Sequence, residues 1–169
     1  MKLSKIRASK SNNVVYVAGP KDSLKSIGLN KNEMSYFKEC TEKSASLVHI
    51  QRLPQNIFIY QSQKSNDPTW KTSEDIRVAG DSATQKLNSL KAKDVDVVSL
   101  GESSQSAAFI EGMILGNYQF LRYFSEKKTN TLSKIGVIAD ELSKKDLDTI
   151  SDTCQAVYWS RDLVNTPVQ

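Results

Sequence analysis

DVDVVSLGESSQSAAFIEGMILG, residues 94–116, decides the fold. Its first seven residues carry Val95, Val97, Val98 and Leu100, a β-branched run of strand length. Gly101 breaks that run. Ser103 and Ser104 then open a segment in which Ala107, Ile110 and Ile114 recur at three- and four-residue steps, the period of a helix with one apolar face. A strand, a short turn and a helix make half of a βαβ unit, and the same pattern continues on both sides. Upstream, Thr72 can cap a helix on which Ile76, Ala79, Ala83, Leu87 and Leu90 share a face, with Glu74 and Asp75 in its first turn. Downstream, the apolar period carries the second helix on through Tyr118 and Leu121 to about residue 124. KIGVIA (134–139) follows as a strand, and Ser143 can cap a last helix with Leu147, Ile150, Cys154, Val157, Arg161 and Val164 in register. Such alternation requires right-handed crossovers and a mostly parallel sheet covered by helices beginning near Ser73, Ser103 and Ser143. Gly112 and Gly116, four residues apart, lie on one helix face and admit another backbone at close range.

The first third reads less regularly. After a polar start, VVYVAG (14–19) is an apolar run closed by Gly19 and Pro20, as in a strand buried on both faces. LVHIQ (47–51) and NIFIYQ (56–61) are two further strands separated by Pro54. SYFKEC (35–40) is a short helix, and the polar, proline-broken QKSNDPTWKT (63–72) is a loop. A single sheet of five or more strands is expected.

At 169 residues with 38% hydrophobic residues, the chain can build one core, removing roughly 70% of its unfolded surface from water. No stretch approaches the ~20 apolar residues that span a bilayer, and MKLSKIRASKSNN lacks the apolar run of a secretory signal. A cytoplasmic location without membrane association is expected. Cys40 and Cys154 are far apart, each within a helical stretch, which suits packed thiols rather than a redox pair or zinc knuckle. The net charge of +4 comes from scattered lysines with no interleaved aromatic pattern, so nucleic acid is not the expected partner.

Converging catalytic groups are missing. His49 is the single histidine and alternates away from Val48 and Ile50 on its strand, so metal spacing of the His-plus-carboxylate kind does not arise. Asp140 and Glu141 follow a strand, where they fit a helix-start dipole better than a metal or a base. The remaining ligand signal is LGESSQSAA (100–108). There Gly101, Ser103 and Ser104 stand where a strand feeds a helix start, and free N–H groups at such a start can receive an anion.

Two stretches say more together. EGMILGNYQFLRYFSEKK (111–128) resembles the helix of the cytosolic leucyl aminopeptidases that reads EG, a few apolar residues, LG, a small residue, Tyr, Phe, a basic residue and Tyr before a basic tail. WSRDLVNTP (159–167) resembles their ARDLVNxP signature, which ends the long helix joining the amino-terminal domain to the catalytic domain. Order and spacing agree over residues 72–167. The resemblance implies a macro-domain-like, three-layer α/β fold: residues 1–142 as the amino-terminal domain, and 143–169 as a terminal helix leading to a catalytic domain not contained in this chain. Trp159, Arg161, Asp162, Leu163 and Asn165 are then candidates for interdomain or assembly contacts. In the family, two divalent metals (zinc or manganese) are held by the carboxyl-terminal domain, which includes the segment NTDAEGR. No such segment occurs here, so neither catalytic nor metal-ligating residues nor a cofactor are expected in this chain. The full-length protein is implied to be a hexameric exopeptidase that meets peptides through its catalytic domain. Two other classes stay open: a stand-alone macro-like module taking an ADP-ribose-type ligand at Gly101–Ser104, and a nucleic-acid-binding domain using the basic surface.

Overall fold

The computed structural model describes residues 1–64 and 66–167. In chain order the elements are β1 (Lys2–Lys5), β2 (Asn13–Ala18), α1 (Lys31–Glu42), β3 (Leu47–Arg52), β4 (Gln55–Gln61), α2 (Thr69–Ser89), β5 (Asp94–Ser99), α3 (Ser103–Gly116), β6 (Lys134–Ile138) and α4 (Lys144–Asn165), with a 3-10 turn at Leu24–Ile27. The strands form one six-stranded sheet in the order β1-β6-β5-β2-β4-β3. All neighbours are parallel except β3 and β4, a hairpin that aligns Leu47 with Tyr60 and Arg52 with Gln55. The α/β expectation of a mixed, mostly parallel sheet flanked by helices is met.

The strand period of two sorts the side chains onto the two faces. On one face Val15, Val17, Phe58, Val95, Val97, Ile135 and Val137 meet Ala79, Ala83 and Leu87 of α2, Phe109, Ile110 and Met113 of α3, and Leu147 and Cys154 of α4. On the other, Val48, Ile50, Ile57 and Ile59 meet Leu24, Ile27 and Phe37, the last from α1. The helices α2 and α3 interlock at their glycines: a Cβ on Gly80 would overlap the Phe109 carbonyl oxygen, and one on Gly112 would stand 2.6 Å from the Arg77 Cα. The close approach expected of Gly112 is therefore made to α2. Thr84, fully buried between the same helices, donates its hydroxyl to the Met113 carbonyl at 3.1 Å.

The structure revises four expectations. The polar start contains β1, an edge strand paired with β6. The helix placed at 35–40 begins at Lys31, where Asn30 and Glu33 form a reciprocal capping box. The segment read as a loop up to residue 72 is helical from Thr69, because Pro68 precedes the first turn, where a missing N–H costs nothing. Thr72 is thus inside α2 rather than its cap. Finally, α3 stops at Gly116 instead of reaching residue 124. Asn117 takes tertiary partners: its Nδ2 donates to the Leu132 carbonyl at 3.0 Å, its Oδ1 accepts from Asn88, and its carbonyl accepts from Asn130. The Ser143 cap of α4 is observed as expected, with Asp146 completing a capping box that holds the Asp146 carboxyl below its ordinary value. Among the described residues, no helix is long and apolar enough to cross a membrane.

Candidate functional site

The outer end of α4 is where the two signature-like stretches meet. Leu147 and Cys154 anchor the first part of the helix in the core, and burial pushes the Cys154 thiol up to about 11. One turn later Tyr158 donates its hydroxyl to the Ile114 carbonyl, and burial raises that phenol to about 12. Arg161 donates Nη1 to the Leu115 carbonyl at 3.2 Å, while its guanidinium carbon lies 5.3 Å from the centre of the Tyr118 ring. Ile114 and Leu115 lie in the last turn of α3, where their carbonyls also accept from the Asn117 N–H at 3.1 Å and the Tyr118 N–H at 3.3 Å. Residues of α4 thus add side-chain donors to the end of α3. Tyr118 in turn donates to Asp162 Oδ1 at 2.7 Å and packs on Tyr158 with ring centres 5.1 Å apart. Desolvation, followed by this bond to Asp162, raises the Tyr118 phenol. Arg122 Nη1 reaches Thr166 Oγ1 at 3.2 Å, and Asn165 Nδ2 donates back to the Arg161 carbonyl at 2.8 Å.

The five candidates on this helix therefore divide. Arg161 and Asp162 bind their own domain, Asn165 closes the helix end, and Trp159 and Leu163 point away, 65% and 77% exposed, beside Val164 at 86%. Between the 119–122 segment and α4 lies an open cleft of about 640 Å³, walled by Phe120, Leu121 and Arg122 on one side and Trp159, Leu163 and Thr166 on the other. Exposed Tyr123 and Phe124 extend the apolar surface.

The other sequence candidates sit elsewhere. Ser103 and Ser104 are the first residues of α3 rather than its cap, which is Glu102 with no side-chain capping bond. Gly101 backs onto the carboxylate of Asp22, a residue the sequence reading passed over although GPKD after a strand is a turn-like signal. His49 is half-buried, stacked on Phe58 with ring centres 4.4 Å apart and hydrogen-bonded to Asn56 at 3.1 Å. Asp140 and Glu141 are exposed. Among the described residues no group of three or more His, Cys, Asp or Glu is placed to hold a metal ion, so the side chains present do not fit a two-metal centre.

Comparison with known proteins places this arrangement. Residues 65–127 match the model of the cytosol aminopeptidase family, N-terminal domain. Over those residues the chain is similar to the amino-terminal domain of the cytosol aminopeptidase family. Relatives include probable cytosol aminopeptidases of Campylobacter jejuni (39% identical over 75 residues, 43% of this chain and 16% of the relative), Mycobacterium tuberculosis (36% over 100 residues, 56% and 19%) and Clostridium perfringens (31% over 108 residues, 57% and 22%). The matched part of the chain spans about a fifth of those relatives' length. Among solved structures, a tomato leucine aminopeptidase mutant superposes with a TM-score of 0.69 at 16% identity, covering 99% of this chain and 38% of that one. The bottromycin maturation enzyme BotP gives 0.67 at 15%, covering 94% and 33%. At such identities the superpositions establish the shared α/β fold.

Proposed function

We propose that this chain is the non-catalytic amino-terminal part of a metal-dependent leucyl aminopeptidase, contributing assembly and access while a separate catalytic domain removes amino-terminal residues from peptides. The observation that carries the reading is the apolar cleft at the end of α4, formed where the 111–128 and 159–167 stretches fold against each other. Trp159, Leu163 and Val164 leave their own domain uncovered, and burying each is worth roughly 1.5–3 kcal/mol. A catalytic domain packed on Trp159 and Leu163 supplies that burial. In this reading residues 143–169 serve as the linking helix, with Arg161, Asp162 and Asn165 fixing its end. Val168 and Gln169 lie outside the described residues.

Two divalent metals, zinc or manganese, belong in this proposal to the catalytic domain, as do the peptide substrates; homo-hexameric assembly and a cytoplasmic location are carried over from the family. An ADP-ribose-binding module receives less support from the geometry, since the Asp22 carboxylate stands at Gly101. Among the described residues, nucleic-acid binding has no feature of the fold in its favour.

The test has two arms. The 169-residue chain is assayed for leucine-anilide hydrolysis with added zinc or manganese, and it is fused ahead of the catalytic domain of the Clostridium perfringens relative. The chain alone is expected to be inactive and to self-associate in sedimentation. The fusion should be active, losing assembly with Leu163→Asp. Turnover by the chain alone that Asp140→Asn abolishes, or a fusion indifferent to Leu163→Asp, refutes the reading.

A further inference from the structure

Open α/β sheets receive ligands where two adjacent parallel strands send the chain in opposite directions, outside the carboxyl ends of those strands. In this sheet that point lies between β2 and β5. The chain leaves β2 toward β4 and β3, and leaves β5 through α3 toward β6 on the other side. The crevice is bounded by Gly19 after β2, by Gly101 after β5 and by the first turn of α3.

The geometry points to Asp22 as an internal ligand that closes this crevice. Its Oδ2 accepts from the Gly19 N–H at 2.6 Å, and a Cβ on Gly101 would overlap the same oxygen and stand 3.0 Å from the Gly19 nitrogen. Gly101 does not occupy the left-handed region; the positive-φ glycine among the described residues is Gly28. Space, rather than backbone freedom, thus favours glycine at position 101, since a Cβ there must displace the Asp22 carboxylate from the Gly19 N–H. Neighbouring polar groups are drawn into the same closure. Gln61 Nε2 donates to the Gly19 and Asp22 carbonyls at 3.2 and 3.4 Å, and Ser62 Oγ lies 3.5 Å from Gln105 Oε1. Ser106 donates to Ser99, whose hydroxyl reaches the Gly101 carbonyl at 3.2 Å. A phosphate entering here meets a resident negative charge on the N–H it would need, together with side chains already paired among themselves. The fold keeps the geometry of a ligand crevice and fills it from within. This inference stands whether or not a catalytic domain covers α4.

The decisive experiment is a double-mutant cycle on thermal stability, read beside a ligand titration of the same 169-residue chain. Gly101→Ala is expected to lower Tm by roughly 4 °C or more in the presence of Asp22, and by less than half as much in the Asp22→Ala background, where the oxygen it strikes is gone. Asp22→Asn, which keeps an acceptor of the same shape, should hold Tm within about 2 °C of the parent chain. Millimolar ADP-ribose or inorganic phosphate should leave the Tm of the unmodified chain unchanged and give no saturable heat. Additive effects of Gly101→Ala and Asp22→Ala would overturn the inference, as would saturable binding of either probe that Gly101→Ala removes. If Gly101→Ala alone fails to fold, recovery of folding in the double variant supports the inference and failure of both overturns it.

Discussion

Replacing Gly112 by alanine tests the packing on which the helical layer rests. An added Cβ would stand 2.6 Å from the Arg77 Cα and 2.7 Å from its carbonyl carbon, where carbon atoms at rest stay about 3.5–4.0 Å apart. Both struck atoms are backbone atoms of α2, so no side chain can swing aside; the helices must separate by about 1 Å at this crossing. Neighbouring contacts resist, because Gly80 of α2 is pressed on the Phe109 carbonyl in the same way and Thr84 is tied to Met113. Overpacking of this kind costs about 1–3 kcal/mol, with larger values where backbone meets backbone. Alanine recovers up to about 1 kcal/mol over glycine through helix propensity. The net expectation is a loss of about 2 kcal/mol, or roughly 4–8 °C in Tm for a domain of this size. Urea denaturation followed by far-UV dichroism measures the loss, with Ser104→Ala, exposed on the same helix, as a control expected within about 0.5 kcal/mol of the parent. An unchanged or raised midpoint for Gly112→Ala would refute the close crossing of α2 and α3.

Two further outcomes follow from buried or paired carboxylates. The hydrogen bonds from Arg52 and from the Asn30 backbone hold Glu33 at about 2, against an ordinary 4.5. A depressed carboxylate stabilises the fold above its unfolded value and ceases to do so as pH falls through its folded value. The Tm gap between the parent chain and Glu33→Gln should therefore be full above about pH 5 and close as pH approaches 2; a gap independent of pH would contradict the pairing. Asp96, buried in β5, accepts from Ser9 Oγ, Lys10 N and Ser11 N at 2.8, 2.7 and 2.9 Å. Asp96→Ala should cost about 1–2 kcal/mol, because the freed donors of Ser9, Lys10 and Ser11 can turn to water, and should speed amide exchange at Lys10 and Ser11, whereas unchanged protection there would show that Asp96 does not pin the segment before β2.

What the sequence disclosed and what it concealed divide along local and non-local physics. The strands β2, β4, β5 and β6 were legible because β-branched runs between turn residues have few other uses, and Ser143 was legible because a cap acts within three residues of itself. β1 was hidden, since KLSK carries one apolar residue and becomes a strand only by pairing with β6. The end of α3 was hidden for the same reason. Its apolar period continues through Tyr118 and Leu121, yet the bonds that stop it come from Asn88, Asn130 and Leu132, residues remote in sequence. That unseen stop creates the candidate surface. Had α3 run to residue 124, Tyr118 would lie on a continuous helix and could not drop onto Tyr158 and Asp162, and no cleft would separate the 119–122 segment from α4. Because it stops at Gly116, residues 117–122 fold back along α4, where Tyr118 bonds Asp162 and the Leu115 carbonyl takes up Arg161, both still exposed, while Trp159 and Leu163 lie on the surface beside them. Two stretches that resemble one family separately in sequence are thus a single structural unit, and which of their residues pair within it is determined by where α3 ends.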